Sequence, residues 1–343
     1  MRNTDRPAKI KRWGKSVIVK GLSVLILPLS LYDSGTPAFG EPLIVFESKR
    51  AGNYDIYVID LANAKERRLT DHPAYDAQPA WSPDGRQIVF TSDRDGELEI
   101  YVMDADGSHL KNLTNRPGDF PDGSDFEPCW SPDGTQIAFT SIREGKYKIY
   151  VMNVDGANPR LLRNHPFSDR QPTWSPDGRR IAFASSQSGD WELYMMNVDG
   201  TDLRRLTEDP DEDLYPAWSP DGQKIAFVSY RCCGGWPSIY VQDVEGGKAK
   251  RIPVPFNAPQ KLAWTPDSRK ILFNDNRRDS QLYLVDIDTE NTEILMEEHP
   301  RPGYNGHPRW LDTRSRPVMG RGKLPGLWGR LKAKALNTGT AAD

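Results

Sequence analysis

Four aspartates recur at one fixed offset. Asp76, Asp125, Asp169 and Asp213 each stand five residues before a tryptophan, at Trp81, Trp130, Trp174 and Trp218. Two further tryptophans, Trp264 and Trp310, carry Pro259 and Asn305 at that offset, and Glu127 adds a carboxylate beside Asp125. Carboxylates gathered around one opening repel each other, at about 1.4 kcal/mol for each tenfold weakening of the acid, and attract a cationic segment or a metal ion. Asp76, Asp125, Glu127, Asp169, Asp213 and Asn305 are therefore the candidate partner-binding residues. The competing reading has each aspartate capping its own turn. Converting the four aspartates to Asn is expected to remove charge with little loss of fold. The sequence leaves a metal open and points to no cofactor.

Other reactive residue types form no catalytic pattern. The nucleophile elbow G-x-S-x-G of an α/β-hydrolase does not occur. Of five histidines, three sit in Asp71-His72-Pro73, Asn164-His165-Pro166 and Glu298-His299-Pro300, where a repeated turn explains them better than a metal cluster; His109 and His307 complete the set. Asp93-Arg94-Asp95-Gly96 and Asp104-Ala105-Asp106-Gly107 lack the spaced third ligand and closing glutamate of a calcium loop and read as turns. Cys232 and Cys233 either join as a vicinal disulfide or stay free, and Cys129 reads as an inert buried thiol.

The elements that must position these residues repeat. The six tryptophans are spaced 49, 44, 44, 46 and 46 residues apart. Ser-Pro-Asp-Gly follows the first four, Thr-Pro-Asp-Ser the fifth, and the sixth has decayed. Each unit continues with an apolar run such as Ile88-Val89-Phe90, a tyrosine-centred run such as Ile100-Tyr101-Val102, and a short run often ending in Leu-Thr. With the tryptophan segment that makes four strands per repeat, the period of a propeller blade. Pro79, Pro128, Pro172, Pro216 and Pro308 stand two residues before their tryptophans, tolerable only on an edge strand. The tryptophan strand is therefore the innermost, facing the axis. Three strands precede Trp81 without an inner partner, and none of the kind follows Trp310. The expectation is an all-β, six-bladed β-propeller of four-stranded blades, closed by the C-terminal inner strand joining the three N-terminal ones.

The 343-residue chain divides as 1–40, 41–313 and 314–343. Residues 1–40 read as a secretory signal peptide: six basic residues between Arg2 and Lys15, an apolar stretch over 21–32, then Ala38-Phe39-Gly40. Their removal takes the formal net charge from −3 to −8, against a nucleic-acid partner. The tail 314–343 is basic, with Leu324, Leu327, Trp328 and Leu331 at helical spacing, and is a candidate for weak contact with a membrane surface.

The unit W-S-P-D-G…I-A-F…I-Y-V-M-D…L-T resembles the propeller repeat of the TolB family, over about residues 41–312. TolB proper carries an α/β domain ahead of its propeller. Related repeats occur in propellers of prolyl-oligopeptidase-type peptidases and some polysaccharide lyases. The resemblance implies an exported, periplasmic or secreted, monomeric and non-enzymatic propeller that binds a protein or peptide of the cell envelope at the channel mouth. The alternative is a carbohydrate-active, polysaccharide lyase-like enzyme using the same face. Convergent His, Arg and Tyr at the mouth would favour the enzyme, and acidic and amide groups without a histidine cluster the binder.

Overall fold

The computed structural model describes residues 43–61, 65–115, 123–231, 236–255, 259–275, 281–295 and 305–311. Of Pro259, Gln260, Asp275 and Asn305 the backbone alone is described. The leader, the basic tail, the Cys232–Cys233 pair and His299 lie outside these residues.

Twenty-four strands form six separate four-stranded antiparallel sheets. The six innermost strands are Asp76–Trp81, Asp125–Trp130, Asp169–Trp174, Asp213–Trp218, Pro259–Trp264 and Asn305–Trp310. Five belong to sheets built from consecutive chain. The sixth, Asn305–Trp310, pairs with Leu43–Ser48, with Trp310 opposite Ile44 and Asn305 opposite Ser48. The ring closes through this pairing as the repeat count requires, leaving no blade with an unpartnered inner strand.

The Ser-Pro-Asp-Gly turns join inner to second strands. In the turn after Trp81, Gly85 adopts φ +70° and donates to Ser82 O at 2.9 Å, while Asp84 accepts from the Ser82 hydroxyl at 2.7 Å. Apolar second and third strands then bury both faces. Phe46, Phe90, Phe139, Phe183, Phe227 and Phe273 are fully buried, each opposite a tyrosine of the third strand. The core lies between blades. One cluster joins Val89 and Ile100 of one blade to Trp130, Ile137 and Phe139 of the next. Another joins Ile44 and Phe46 to Leu272 and Leu284 across the closure.

Candidate functional site

Each inner strand carries a bulge that repetition alone would not reveal. Asp76 and Ala77 pair with Ser92 and Thr91, and pairing resumes only at Ala80 with Val89, so Gln78 and Pro79 together oppose Phe90. The third residue takes a left-handed backbone in all six strands: Gln78, Glu127, Gln171, Tyr215, Lys261 and His307, with φ between 42° and 59°. For non-glycine residues such a backbone is strained and needs compensation. The compensation is chemical. The bulge takes the third residue's N–H out of the ladder, and the proline that usually follows has no N–H to orphan.

Those freed donors link the blades. Gln78 N donates to Glu47 Oε2 at 2.7 Å, Glu127 N to Gln78 Oε1 at 2.8 Å, Gln171 N to Glu127 Oε2 at 3.0 Å, and Tyr215 N to Gln171 Oε1 at 2.8 Å. Thr91 and Thr140 hydroxyls donate to Gln78 Oε1 and Glu127 Oε2, both at 3.0 Å. A side-chain acceptor on one blade thus receives the main chain of the next.

The axis is crossed by an ion pair. Lys261 Nζ lies 3.3 Å from Glu127 Oε1, on the opposite blade, and 4.9 Å from the Tyr215 ring centroid. Burial works to raise the Glu127 carboxyl, but Lys261, the Thr140 hydroxyl and Arg170 outweigh it and hold it below its ordinary value. Burial pulls Lys261 down, against the pull of Glu127. His307 Nδ1 sits 2.5 Å from Glu47 Oε1, an ion-pair distance without hydrogen-bond alignment, and burial lowers the imidazole. Burial also lowers Arg309 and pushes the Tyr215 phenol up to about 12. What remains open among these side chains is a cavity of about 30 Å³, lined by the third and fourth inner-strand residues and Arg309. That volume holds about two waters.

The predicted aspartates have a different role from an open acidic mouth. Asp76, Asp125, Asp169 and Asp213 are at most 2% exposed. Arg94 NH2 bonds Asp76 at 2.7 and 2.9 Å, and Arg143 NH2 bonds Asp125 at 2.9 and 2.7 Å. Arg231 closes on Asp213 through Oδ2 alone, leaving Oδ1 buried without a hydrogen-bond partner. In the blade of Asp169 that loop position is Gln187, and Arg163 at 3.3 Å and His165 at 2.6 Å replace the missing arginine. Each loop arginine also stacks on its blade's aromatic pair, as Arg143 does 4.1 Å from the Tyr150 ring centroid. Asp76, Asp125 and Asp213 therefore fasten the loop between second and third strands to the inner strand, and Asp169 fastens the segment that leads into its own strand. The mutual repulsion expected of them is met by a basic side chain in each of these four blades, and converting all four to Asn would leave those buried partners without a carboxylate. The blade of Asn305 has no aspartate at the first inner-strand position, and its arginine, Arg50, bonds Glu66 instead. Burial nonetheless pushes Asp213 up to about 6.

Of the five candidate residues whose side chains are described, Glu127 alone reaches the axis. Its axial companions Gln78, Gln171, Tyr215, Lys261 and His307 share its offset of three before tryptophan, a signal present in the sequence. Glu47, on a second strand, had no such signal. His, Arg and Tyr do converge here, the feature said to favour the enzyme alternative, but around an axial opening of about 30 Å³. Burial raises Cys129 to about 12, keeping it an unreactive thiol. His72 and His109 lie exposed on turns, and the described residues hold no group of three or more His, Cys, Asp or Glu fit for a metal.

Residues 32–120, 95–165 and 126–310 match the family model described as the TolB beta propeller domain. The chain belongs to that family. TolB from Acinetobacter baumannii superposes with a TM-score of 0.67 at 22% identity, over 81% of this chain and 68% of that one. A putative TolB from Agrobacterium tumefaciens gives 0.60 at 23% identity, over 79% and 99%. An oligogalacturonate lyase in complex with manganese gives 0.55 at 16% identity, over 73% and 72%. No curated protein matches in sequence. Identities this low establish the TolB-type propeller fold and no more.

Proposed function

We propose that this chain is an exported, non-catalytic propeller that binds a protein or peptide of the cell envelope on the face where the inner strands begin. The observation that carries this reading is the Lys261–Glu127 pair across the axis. It leaves about 30 Å³, where ligand pockets ordinarily offer about 300 Å³ or more. Chemistry on a threaded substrate has no room, whereas the loops of this face stand on a rigid ring, the usual seat of recognition. The buried aspartates shape the rim, and the contact falls to the loops above them. Family membership and the signal-like leader support a periplasmic or secreted location. The outermost strands, of two to four residues, offer little edge for self-association, which supports a monomer.

Site-specific photo-crosslinking in cells tests this. A crosslinker at Phe167, on the loop before Asp169, should yield discrete protein adducts, and one at Leu203, on the opposite side of that blade, should not. Equal labelling from both positions, or none from Phe167, sinks the reading. Release of unsaturated products from polygalacturonate by the purified chain would establish the lyase alternative.

A further inference from the structure

Arg170 stands apart from the other arginines of this face. Arg94, Arg143, Arg163 and Arg231 each close on an aspartate. Among the described residues the guanidinium of Arg170 makes no hydrogen bond or ion-pair contact, acting on Glu127 only through space, and its Nε is buried without a partner. It occupies the second position of its inner strand, where the other blades carry Ala77, Phe126, Leu214, Gln260 and Gly306. The guanidinium lies 4.1 Å from the Trp191 ring centroid and 5.9 Å from that of Tyr147. Tyr147 in turn meets Phe126 edge-on at 5.9 Å and Trp191 at 6.4 Å. Trp191, Tyr215 and Tyr230 pack against one shared cluster.

Stacking on ring faces answers the charge of a guanidinium but none of its five N–H donors. A half-buried arginine held flat, with its fork unused, is prepared for a planar pair of acceptors, and a carboxylate supplies one. Glu127 feels the charge of Arg170 through space but bonds Lys261, the Thr140 hydroxyl and Gln171 N rather than the guanidinium. The axial cavity is lined by Gln171 and not by Arg170, so an acceptor for Arg170 must come from the loop side of the strand. Phe167 and Trp236, 42% and 57% exposed on loops of this same face, offer apolar contact to what flanks that acceptor.

We infer that Arg170, caged by Trp191 and Tyr147, captures the carboxylate of an acidic side chain on a peptide partner. The inference rests on the peptide-binding reading above and adds the chemistry that the face selects.

The test uses the purified full chain and three fluorescein-labelled libraries of 12-residue peptides with randomised flanks. Their centres are Glu-Glu, Gln-Gln and Lys-Lys, and binding is read by fluorescence anisotropy. The wild-type chain should bind the Glu-Glu library at least tenfold more tightly than the Gln-Gln library. That ratio should fall to about one in Arg170→Gln and be reduced in Arg170→Lys, which keeps the charge and loses the fork. Arg180→Gln, which removes an arginine stacked on Trp218 at 5.4 Å, should leave the ratio unchanged. Thermal melting checks that each variant folds, and Arg170→Lys decides should Arg170→Gln fail to. If the preference for Glu-Glu survives both Arg170 variants, the cage is overturned while peptide binding stands. Binding to none of the libraries overturns both. Displacement of the Glu-Glu library by oligogalacturonate, at lower concentration and dependent on Arg170, overturns the peptide as partner.

Discussion

Arg143→Met measures how much of the ring's stability rests on the loop clamp. The substitution keeps most of the side-chain volume and removes the charge. Arg143 and Asp125 expose 7% and 1% of their side chains and share two hydrogen bonds, at 2.9 and 2.7 Å. Breaking a buried pair by removing one partner costs about 3–5 kcal/mol, because the other charge is left without compensation. Loss of the stack on Tyr150 adds about 1 kcal/mol, and loss of the 2.6 Å bond to Ser141 Oγ adds about 1 kcal/mol. Against a total folding stability of about 5–15 kcal/mol, the clamp of one blade is a large fraction. Urea unfolding should show a midpoint lowered by an amount corresponding to about 4 kcal/mol or more, with an unchanged slope. Asp125→Asn combined with Arg143→Met should cost well under the sum of the two single changes, the mark of direct coupling. Arg86→Met is the control: Arg86 lies 3.9 Å from Asp84 with both side chains open to water, and its loss should cost under about 1 kcal/mol. If Arg143→Met costs no more than Arg86→Met, or the double change is additive, the aspartates are not clamped as described.

Lys261→Met removes the cation that holds Glu127 at the axis and should destabilise by about 3–5 kcal/mol at neutral pH, with Glu127→Gln on the same background recovering most of it in urea titrations; a neutral effect would mean that the pair does not plug the channel. Asp213 titrates near 6 in the folded state against 3.8 unfolded, so the folded chain holds that proton more tightly; this contribution is present below about pH 4 and disappears as pH rises through 6, by at most roughly 3 kcal/mol. Asp213→Asn cannot titrate, and wild type should therefore lose ground to it between pH 4 and pH 7; a stability difference flat across that range contradicts the raised pKa. Gly156 has φ +89°, and a Cβ there would lie 2.5 Å from Leu113 O, so Gly156→Ala should lower stability by about 1–3 kcal/mol. Gly145→Ala, at φ +76° with nothing within 4 Å, should cost only about 1 kcal/mol; equal melting temperatures for the two would refute the contact.

The fold was readable because a propeller repeats one unit, and the unit is written in residues whose backbone roles are narrow. Asp84 and Gly85 make a hairpin, Pro79 marks an edge, and the missing inner strand before Trp81 announces its counterpart at Trp310. The offset of five before tryptophan correctly identified a shared position, Asp76 through Asp213, and the strand order placed it at the channel's end. Its partners were hidden by distance and by substitution. Arg94, Arg143 and Arg231 follow their aspartates by a constant eighteen residues, too far apart to read as a pair without the fold, and in the third such blade Arg163 and His165 take over from Gln187. The axial network was hidden for another reason. Gln78, Glu127, Gln171, Tyr215, Lys261 and His307 share a backbone conformation but only the two glutamines share a side chain, so no one letter marks the position. The Lys261–Glu127 bond joins residues far apart in the chain, and only the closed ring decides that their blades face each other.

Closure also sets an order of events for the folding chain. In the blade of Asp76, Trp81 pairs with Ile88 seven positions later, so that inner strand can pair as soon as its own hairpin exists. The corresponding partners at the closure, Ile44 and Trp310, are 266 positions apart. Bringing such distant ends together costs roughly 3 kcal/mol more in chain entropy than a hairpin does, a cost that pre-formed intervening blades reduce by holding the ends near each other. The strand Leu43–Ser48 thus emerges first and receives its inner neighbour last. For a chain that is made or exported from its N-terminus, the longest-lived unpaired edge belongs to residues 43–48, and a protective factor acting on the nascent protein would have that edge to cover.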